Sequence, residues 1–410
     1  MRPRRRGLRA LAAVTGLALA AALAPGAGAA PPPGRPAGPP VSVPPVQAPP
    51  GKAPAPRAAF DVATYNIYLG ADLTPLFGAM SFPDLVARAG QVYAAMEATD
   101  FPERAEAIAD LLAEEAPDVV GLQEVALWAT APGNVQTPTA PFTVTYDFLD
   151  ILLDELAERG VPYEEVATNE NFNGTLPIAL GGAPLLFPDS TWASFTDRDV
   201  IIVRSGLPER RLAVDESSVR EENFDATLVL PTGVPEAPLF PVPRGWSSVD
   251  VTVKGSTFTF FNTHLEAFND PTEEFGFYRN LQAQELAAEV EDSAHPPIVV
   301  GDINSRPPCD GFNTEAYEIL IGAGLVEVWP EAHPSEPCAE ASFTSGQAAD
   351  LLNAESELDH RIDTVMFDPT AFTALQADVI GEEQQDRTTP TGLWPSDHAG
   401  STGKLRSLGR

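Results

Sequence analysis

The stretch Pro297-Ile298-Val299-Val300-Gly301-Asp302-Ile303-Asn304 constrains this chain more than any other. Its near-continuous aliphatic run is the pattern of a buried strand, and polar groups follow where the chain leaves the sheet. Asp302 and Asn304 alternate with Ile303, so both can face one cavity while the isoleucine stays in the core. A carboxylate can bind a metal or take a proton from water. A carboxamide beside it donates hydrogen bonds to an anionic oxygen.

The same pattern recurs along the chain. Asn66 stands near the end of the strand pattern Phe60–Tyr68, and Glu124 near the end of Asp118–Val125. His264 closes Thr257–His264, Asp363 follows Ile362, and the pair Asp397-His398 lies in the loop Trp394–Gly400. Charge beside an apolar run is costly unless it is paired or binds something. Six such positions point to one shared site.

Between these strands the periodicity predicts helices over Pro102–Glu115, Thr145–Arg159, Phe275–Glu291 and Asn313–Ile321. Trp128–Phe142 and Asn169–Ser190 read as loops, and Asp199–Arg204 and Ile362–Phe367 as strands. Ser247–Lys254 and Thr257–His264 read as a hairpin across Gly255-Ser256. Alternating strands and helices with an intervening hairpin favour a mixed α/β sandwich over a purely parallel sheet.

The N-terminal residues 1–30 have the form of a secretory signal: five arginines, the apolar run Leu11–Leu23, and Ala27-Gly28-Ala29 as a cleavage site. General and twin-arginine export both fit. Residues 31–57 carry 12 prolines and read as an extended linker. The domain pattern then spans 58–402, with 403–410 as a tail. No later stretch is apolar enough to span a bilayer, so a secreted protein with no integral membrane segment is expected, and a monomer.

Removing the five signal arginines takes the net charge from −33 to −38, and only Lys52, Lys254 and Lys404 are lysines. Such a surface repels polyanions at long range. Cys309 and Cys338 are the only cysteines, and in an exported protein an even pair predicts a disulfide. It closes a loop of about 30 residues, worth roughly 3.5 kcal/mol in chain entropy.

Six motifs carry a resemblance. Thr64-Tyr65-Asn66-Ile67, Gly121-Leu122-Gln123-Glu124-Val125, Asn262-Thr263-His264-Leu265, Gly301-Asp302-Ile303-Asn304, Arg361-Ile362-Asp363 and Ser396-Asp397-His398 stand in order. Together they resemble the endonuclease/exonuclease/phosphatase superfamily, from about Phe60 to Gly400. That superfamily includes deoxyribonuclease I, exonuclease III-like nucleases, neutral sphingomyelinases and inositol-polyphosphate 5-phosphatases. The resemblance implies a four-layered α/β sandwich, with two packed mixed sheets flanked by helices.

It also implies roles. Glu124 is the principal ligand for Mg²⁺, with Mn²⁺ or Ca²⁺ as alternatives, while Asn66 holds metal-bound water or phosphate and Asp397 joins or supports the metal site. Asp302 orients or deprotonates the attacking water, and Asn304 binds a phosphoryl oxygen. His264 and His398 flank the phosphorus, and Asp363 orients His398. His264 expects an acidic partner, for which Asp197 is the first choice and Asp199 the second. Arg279 can reach a phosphate or make an ion pair on the helix surface. Many relatives carry tyrosine after the Arg361-Ile362-Asp363 motif, where this chain has Thr364.

The implied reaction is hydrolysis of a phosphoester by activated water. Nucleic acid is the first substrate expectation, with Arg198, Arg204, Arg244, Arg279, Arg306 and Arg361 as the cations a groove would use. A phospholipid head group is the second, with Leu185, Leu186, Phe187, Trp192 and Phe195 as an apolar rim or as core. Small phosphate esters remain open. A domain that only binds phosphate would be favoured by loss of a metal ligand or a histidine, and none is lost.

Overall fold

The computed structural model describes residues 59–409, apart from 135, 181–189, 236–238, 270–271 and 310. The signal, the whole linker, and Leu185, Leu186 and Phe187 lie outside the described residues.

Two sheets organise the domain. The larger contains β1 (Phe60–Asn66), β2 (Val119–Gln123), β3 (Leu127–Gly133), β4 (Thr143–Asp147), β5 (Tyr163–Ile178), β6 (Ser190–Arg204), β15 (Phe372–Ile380) and β16 (Gly400–Ser407). Its order is β15-β16-β1-β2-β6-β3-β4, with β5 also paired to β6. The second contains β7 (Leu212–Asn223), β10 (Gly245–Val253), β11 (Ser256–His264), β12 (Pro297–Asp302), β13 (Val326–Glu327) and β14 (Asp363–Phe367). Its order is β13-β14-β12-β11-β10-β7. A separate ribbon joins β8 (Leu228–Pro231) and β9 (Leu239–Val242). The helices are α1 (Thr74–Phe77), α2 (Phe82–Ala98), α3 (Phe101–Glu115), α4 (Phe148–Glu158), α5 (Phe277–Glu291), α6 (Glu315–Gly322) and α7 (Val328–Ala332).

Alternation along the strands divides the core into layers. Val62, Val119, Ile201 and Val203 of the first sheet pack on Val249, Val251, Phe260, Ile298, Val300 and Val365 of the second. The opposite face of the first sheet, with Tyr65, Val120, Leu122 and Ile202, meets α2, α3 and α4. Phe261, Val299 and Met366 on the outer face of the second meet α5 and α6. The result is the expected four-layered α/β sandwich with both sheets mixed.

A polar bridge crosses between the sheets. The Asn262 carboxamide on β11 donates to the carbonyls of Leu122 and Val200, and its oxygen accepts from Gln123 Nε2 at 2.6 Å. Thr64 Oγ1 donates to Gln123 Oε1 at 3.1 Å. Gly121 makes room for this: a Cβ there would lie 2.5 Å from Asn262 Oδ1. All four residues are buried, so the hydrogen bonds have no competition from solvent.

Several local expectations are corrected. Thr143–Asp147 pairs with β3, so the helix predicted from Thr145 begins at Phe148, with the Asp147 side chain accepting from Leu149 N. The predicted loop Trp128–Phe142 contains most of β3, and the predicted loop Asn169–Ser190 is strand β5 as far as Ile178. The hairpin turns at Lys254-Gly255, both at positive φ, because Val253 pairs with Ser256. Residues 403–407 are not a tail but part of β16, which pairs with β1 and β15. Helix α2, with Ser81 as its cap, is an addition. The Cys309–Cys338 disulfide is formed, and no helix among the described residues is long and apolar enough to cross a membrane.

Replacing Asn262 by alanine strands Gln123 Nε2 and two strand carbonyls between the sheets. We expect a loss of about 2–4 kcal/mol of unfolding free energy, measured by urea denaturation with unchanged far-UV dichroism at zero urea.

Candidate active site

Register brings the polar strand ends together. In the second sheet His264 of β11 stands beside Asp302 of β12, and Asp302 stands beside Asp363 of β14. The three lie in one row at one edge of the sheet. Across the sandwich Asn66 pairs in register with Gln123, and Glu124 follows at once at positive φ. His398 lies just ahead of β16, whose pairing with β1 brings it to the same edge.

Asp302 Oδ2 is the focus. It accepts from Asn66 Nδ2 at 3.1 Å and lies 3.4 Å from His264 Nε2 and 3.8 Å from His398 Nε2. Its other oxygen accepts from the backbone N–H of Asn304 at 2.9 Å, which fixes the carboxylate plane. Burial, then Asp363, pushes the Asp302 carboxyl up to about 6, against the pull of His398 and the two hydrogen bonds.

The two histidines are held in opposite states. His398 donates from Nδ1 to Asp363 Oδ2 at 2.8 Å. Burial pushes its imidazole down, but Asp363, Asp397 and Asp302 outweigh that and hold it well above the ordinary value. Ser345 Oγ lies 3.4 Å from its Nε2. His264 is buried, and burial and then Arg244 hold it well below the ordinary value. Arg244 Nη1 lies 3.1 Å from His264 Nδ1 and can only donate, so that nitrogen is the acceptor. The proton of the neutral ring then sits on Nε2, toward Asp302.

Of the two carboxylates expected beside His264, the second choice, Asp199, is the one that stands near the ring. Asp197 reaches Arg244 Nη1 at 3.5 Å rather than the imidazole, and Asp199 Oδ1 stands 4.0 Å from His264 Nδ1. Asn171 Nδ2 ties the two carboxylates, at 2.8 Å to Asp199 and 3.4 Å to Asp197. Asp197 thus acts on His264 through Arg244. Neither Arg244 as this neighbour nor Asn171 is legible from the motifs, although the alternating Asn169-Glu170-Asn171-Phe172-Asn173 carries a strand period.

Arg279 is also reassigned. It is buried and donates to the carbonyls of Glu266 and Ala267 and to Asn313 Oδ1. It braces the loop after β11, and among the described residues its hydrogen-bond partners are these backbone and carboxamide oxygens rather than a surface carboxylate. Asn304 donates one Nδ2 hydrogen to Leu265 O at 3.0 Å, which leaves the second for an oxygen in the cleft. Thr364 is buried within β14, away from this row. His360, directly ahead of the Arg361-Ile362-Asp363 motif, turns its Nδ1 to the side chain of Asp359.

Glu124, Asp197, Asp397 and Arg244 line a cavity of about 290 Å³. Burial, then Asp397 and Asp197, pushes the Glu124 carboxyl up to about 8, although its Oε2 accepts from Leu69 N at 2.8 Å. Burial also raises Asp397, against His398 and Arg104. Converging hard carboxylates with this mutual repulsion suit a divalent cation, which relieves both. Asn66 already donates to Asp302 and accepts from Tyr68 N, so its carboxamide orients the carboxylate. A second close set, Asp302, Asp363 and His398, has ligand atoms within 4.8 Å of one another. Within that set His398 Nδ1 already donates to Asp363 at 2.8 Å.

The sequence matches the model of the Endonuclease/Exonuclease/phosphatase family over residues 63–398. The chain belongs to this family of phosphoesterases. Solved structures with a similar chain include a family protein from Leptotrichia buccalis C-1013-b, at 16% identity and TM-score 0.47, covering 85% of this chain and 99% of that one. A family protein from Bacteroides thetaiotaomicron shows 16% identity and TM-score 0.49, covering 85% and 98%. A mannosyl-6-phosphatase from Bacteroides thetaiotaomicron VPI-5482 shows 17% identity and TM-score 0.46, covering 84% and 99%. No curated protein matches the sequence.

Asp363→Asn removes the charge that sustains the His398 imidazolium while keeping the side-chain shape. We expect the His398 ring to titrate at lower pH in NMR spectra, with kcat on a phosphodiester down by about 10²-fold or more and a fold unchanged by circular dichroism.

Proposed function

We propose that this protein is an exported, divalent-metal-dependent phosphodiesterase in which water attacks phosphorus. The observation that carries this reading is the Asp302 carboxylate set between two imidazoles, 3.4 Å from His264 Nε2 and 3.8 Å from His398 Nε2, with surroundings that push the first ring down and the second up. Titratable groups pushed apart in this way mark separate acid and base assignments.

Glu124 and Asp397 would hold a Mg²⁺ ion, which supplies charge to neutralise phosphoryl oxygens as they gain electron density. The chain's own residues do the rest. Asp302, steered by Asn66 and the Asn304 backbone, receives the proton of the attacking water at Oδ2. His398 donates from Nε2 to a phosphoryl or leaving-group oxygen, with Asp363 holding its Nδ1 proton. His264 donates from Nε2 as a neutral imidazole, and the free N–H of Asn304 adds a further donor.

Several arginines that a polynucleotide groove would need are engaged within the fold. Arg361 pairs with Glu327 at 2.7 Å, Arg198 with Asp147 at 2.6 Å, and Arg279 with backbone carbonyls. With a net charge of −33, or −38 once the five signal arginines are removed, this favours a small or lipid-like diester over nucleic acid. Export is supported by the disulfide and the N-terminal pattern.

The test is hydrolysis of plasmid DNA, RNA, sphingomyelin, phosphatidylcholine and bis(4-nitrophenyl) phosphate, with Mg²⁺ and with EDTA. We expect turnover of a lipid or small diester, abolished by EDTA and lowered about 10²–10⁴-fold by Asp302→Ala or His398→Ala. Turnover that survives EDTA, or that both variants retain, rules the mechanism out.

The pH profile follows from the two groups. Asp302 works as the carboxylate and titrates at about 6, so kcat/KM falls as pH drops through about 6. His398 works as the imidazolium and is raised, so the alkaline limb lies above the ordinary histidine range. A profile that instead climbs steadily through that range would exclude His398 as the proton donor.

A further inference from the structure

A second cavity of about 170 Å³ adjoins the catalytic one. Val92 of α2, Leu176 of β5, Ala193 of β6 and Leu239 of β9 bound it. Leu73, Phe77, Phe172, Phe195 and Phe240 line both cavities, so the two lie side by side and share one apolar wall. The aromatic part of the wall is locked: Phe240 packs on Phe77 at 5.1 Å and on Phe172 at 5.0 Å between ring centroids. Among the described residues no charged side chain lines the second cavity, and the indole N–H of Trp128 there already donates to Leu69 O.

Protein interiors are close-packed, and an apolar hollow stays dry and accepts apolar ligands. This hollow opens beside carboxylates and histidines rather than at a random point of the core. The adjacent cavities together match an amphiphile, polar at Glu124 and Asp397 and apolar on the far side of Phe240. A nucleobase fits the far end poorly, because most of its ring donors and acceptors would be buried against an aliphatic and aromatic lining in which Thr175 and Thr232 are the hydroxyl-bearing residues.

We propose that this cavity is the subsite for an aliphatic chain of the phosphodiester substrate. The inference rests on the phosphodiesterase reading for its orientation, with the phosphate at the carboxylate end. In the reaction water adds to phosphorus, the P–O bond to the leaving group breaks, and the alkyl phosphate monoester remains with its chain in the pocket.

The test uses the purified full chain and 4-nitrophenyl alkyl phosphodiesters with methyl, butyl, hexyl and octyl groups, below their aggregation concentrations, with Mg²⁺. We expect kcat/KM to rise about fourfold per methylene, through KM, until the pocket is filled. Thr175→Trp places bulk at the exposed rim of the pocket, and Leu239→Lys places a charge at an exposed wall position. Both should flatten the dependence on chain length. Binding of octyl phosphate against methyl phosphate, by calorimetry in wild type and both variants, reads the pocket without turnover.

Turnover without chain-length dependence, together with equal binding of the two phosphates, overturns the subsite and leaves the phosphodiesterase standing. Preferential binding of octyl phosphate without turnover of any diester supports the subsite and removes the phosphodiesterase reading. Preference for thymidine 4-nitrophenyl phosphate over the octyl diester overturns the aliphatic assignment in favour of a base.

Discussion

The structure depends on one carboxamide crossing between two sheets. Asn262 sits on β11, yet its donors end on carbonyls of β2 and β6 and its acceptor holds Gln123. Apolar packing between sheets tolerates sliding, because Val and Ile surfaces have no preferred partner atoms. A buried hydrogen bond does not, since a shift of one residue leaves donors and acceptors unpaired in a dry interface. The bridge therefore pins one sheet against the other, with Asn262 two residues before His264 and Gln123 one before Glu124. The aliphatic core supplies the bulk of the stabilisation, and this contact supplies its alignment.

That alignment is what makes the site's electrostatics possible. Asp302, Asp363, Asp397, Glu124, Asp197 and Asp199 gather with two histidines at one end of the sandwich, and few cations stand among them. Their environments separate them: Asp363 sustains one imidazolium, Arg244 forbids another, and Glu124 and Asp397 stay raised by burial although His398 pulls against both. The same burial that raises these carboxyls makes each remaining contact stronger. A site of this kind is costly for folding and useful for chemistry, and stability is drawn from the aliphatic layers on either side.

Much of this is legible in the sequence because strand ends announce themselves. An aliphatic run followed by a lone polar residue identifies a sheet edge, and six of them in family order identify the fold and the residues that the candidate site brings together. Legibility fails where side chains act through other side chains. The motifs give Asp197 to His264 directly, but Arg244 stands between them, and no local pattern encodes that. Arg279 reads as a surface or phosphate-binding arginine because helix periodicity does not reveal carbonyls presented by a loop. Strand β5 reads as loop because its Gly and Asn residues mask a period of two, and the end of β16 reads as a tail because it is short and polar.

The placement of β16 has a temporal side. It lies between β1 and β15, and β1 is the earliest strand of the described chain. A chain emerging from its N-terminus holds β1 with one edge open while more than three hundred further residues are made. His398 enters the cleft only when Gly400–Ser407 closes that edge. On the proposed mechanism, which needs His398, a chain that lacks β16 would hold its aliphatic layers without the full set of site residues.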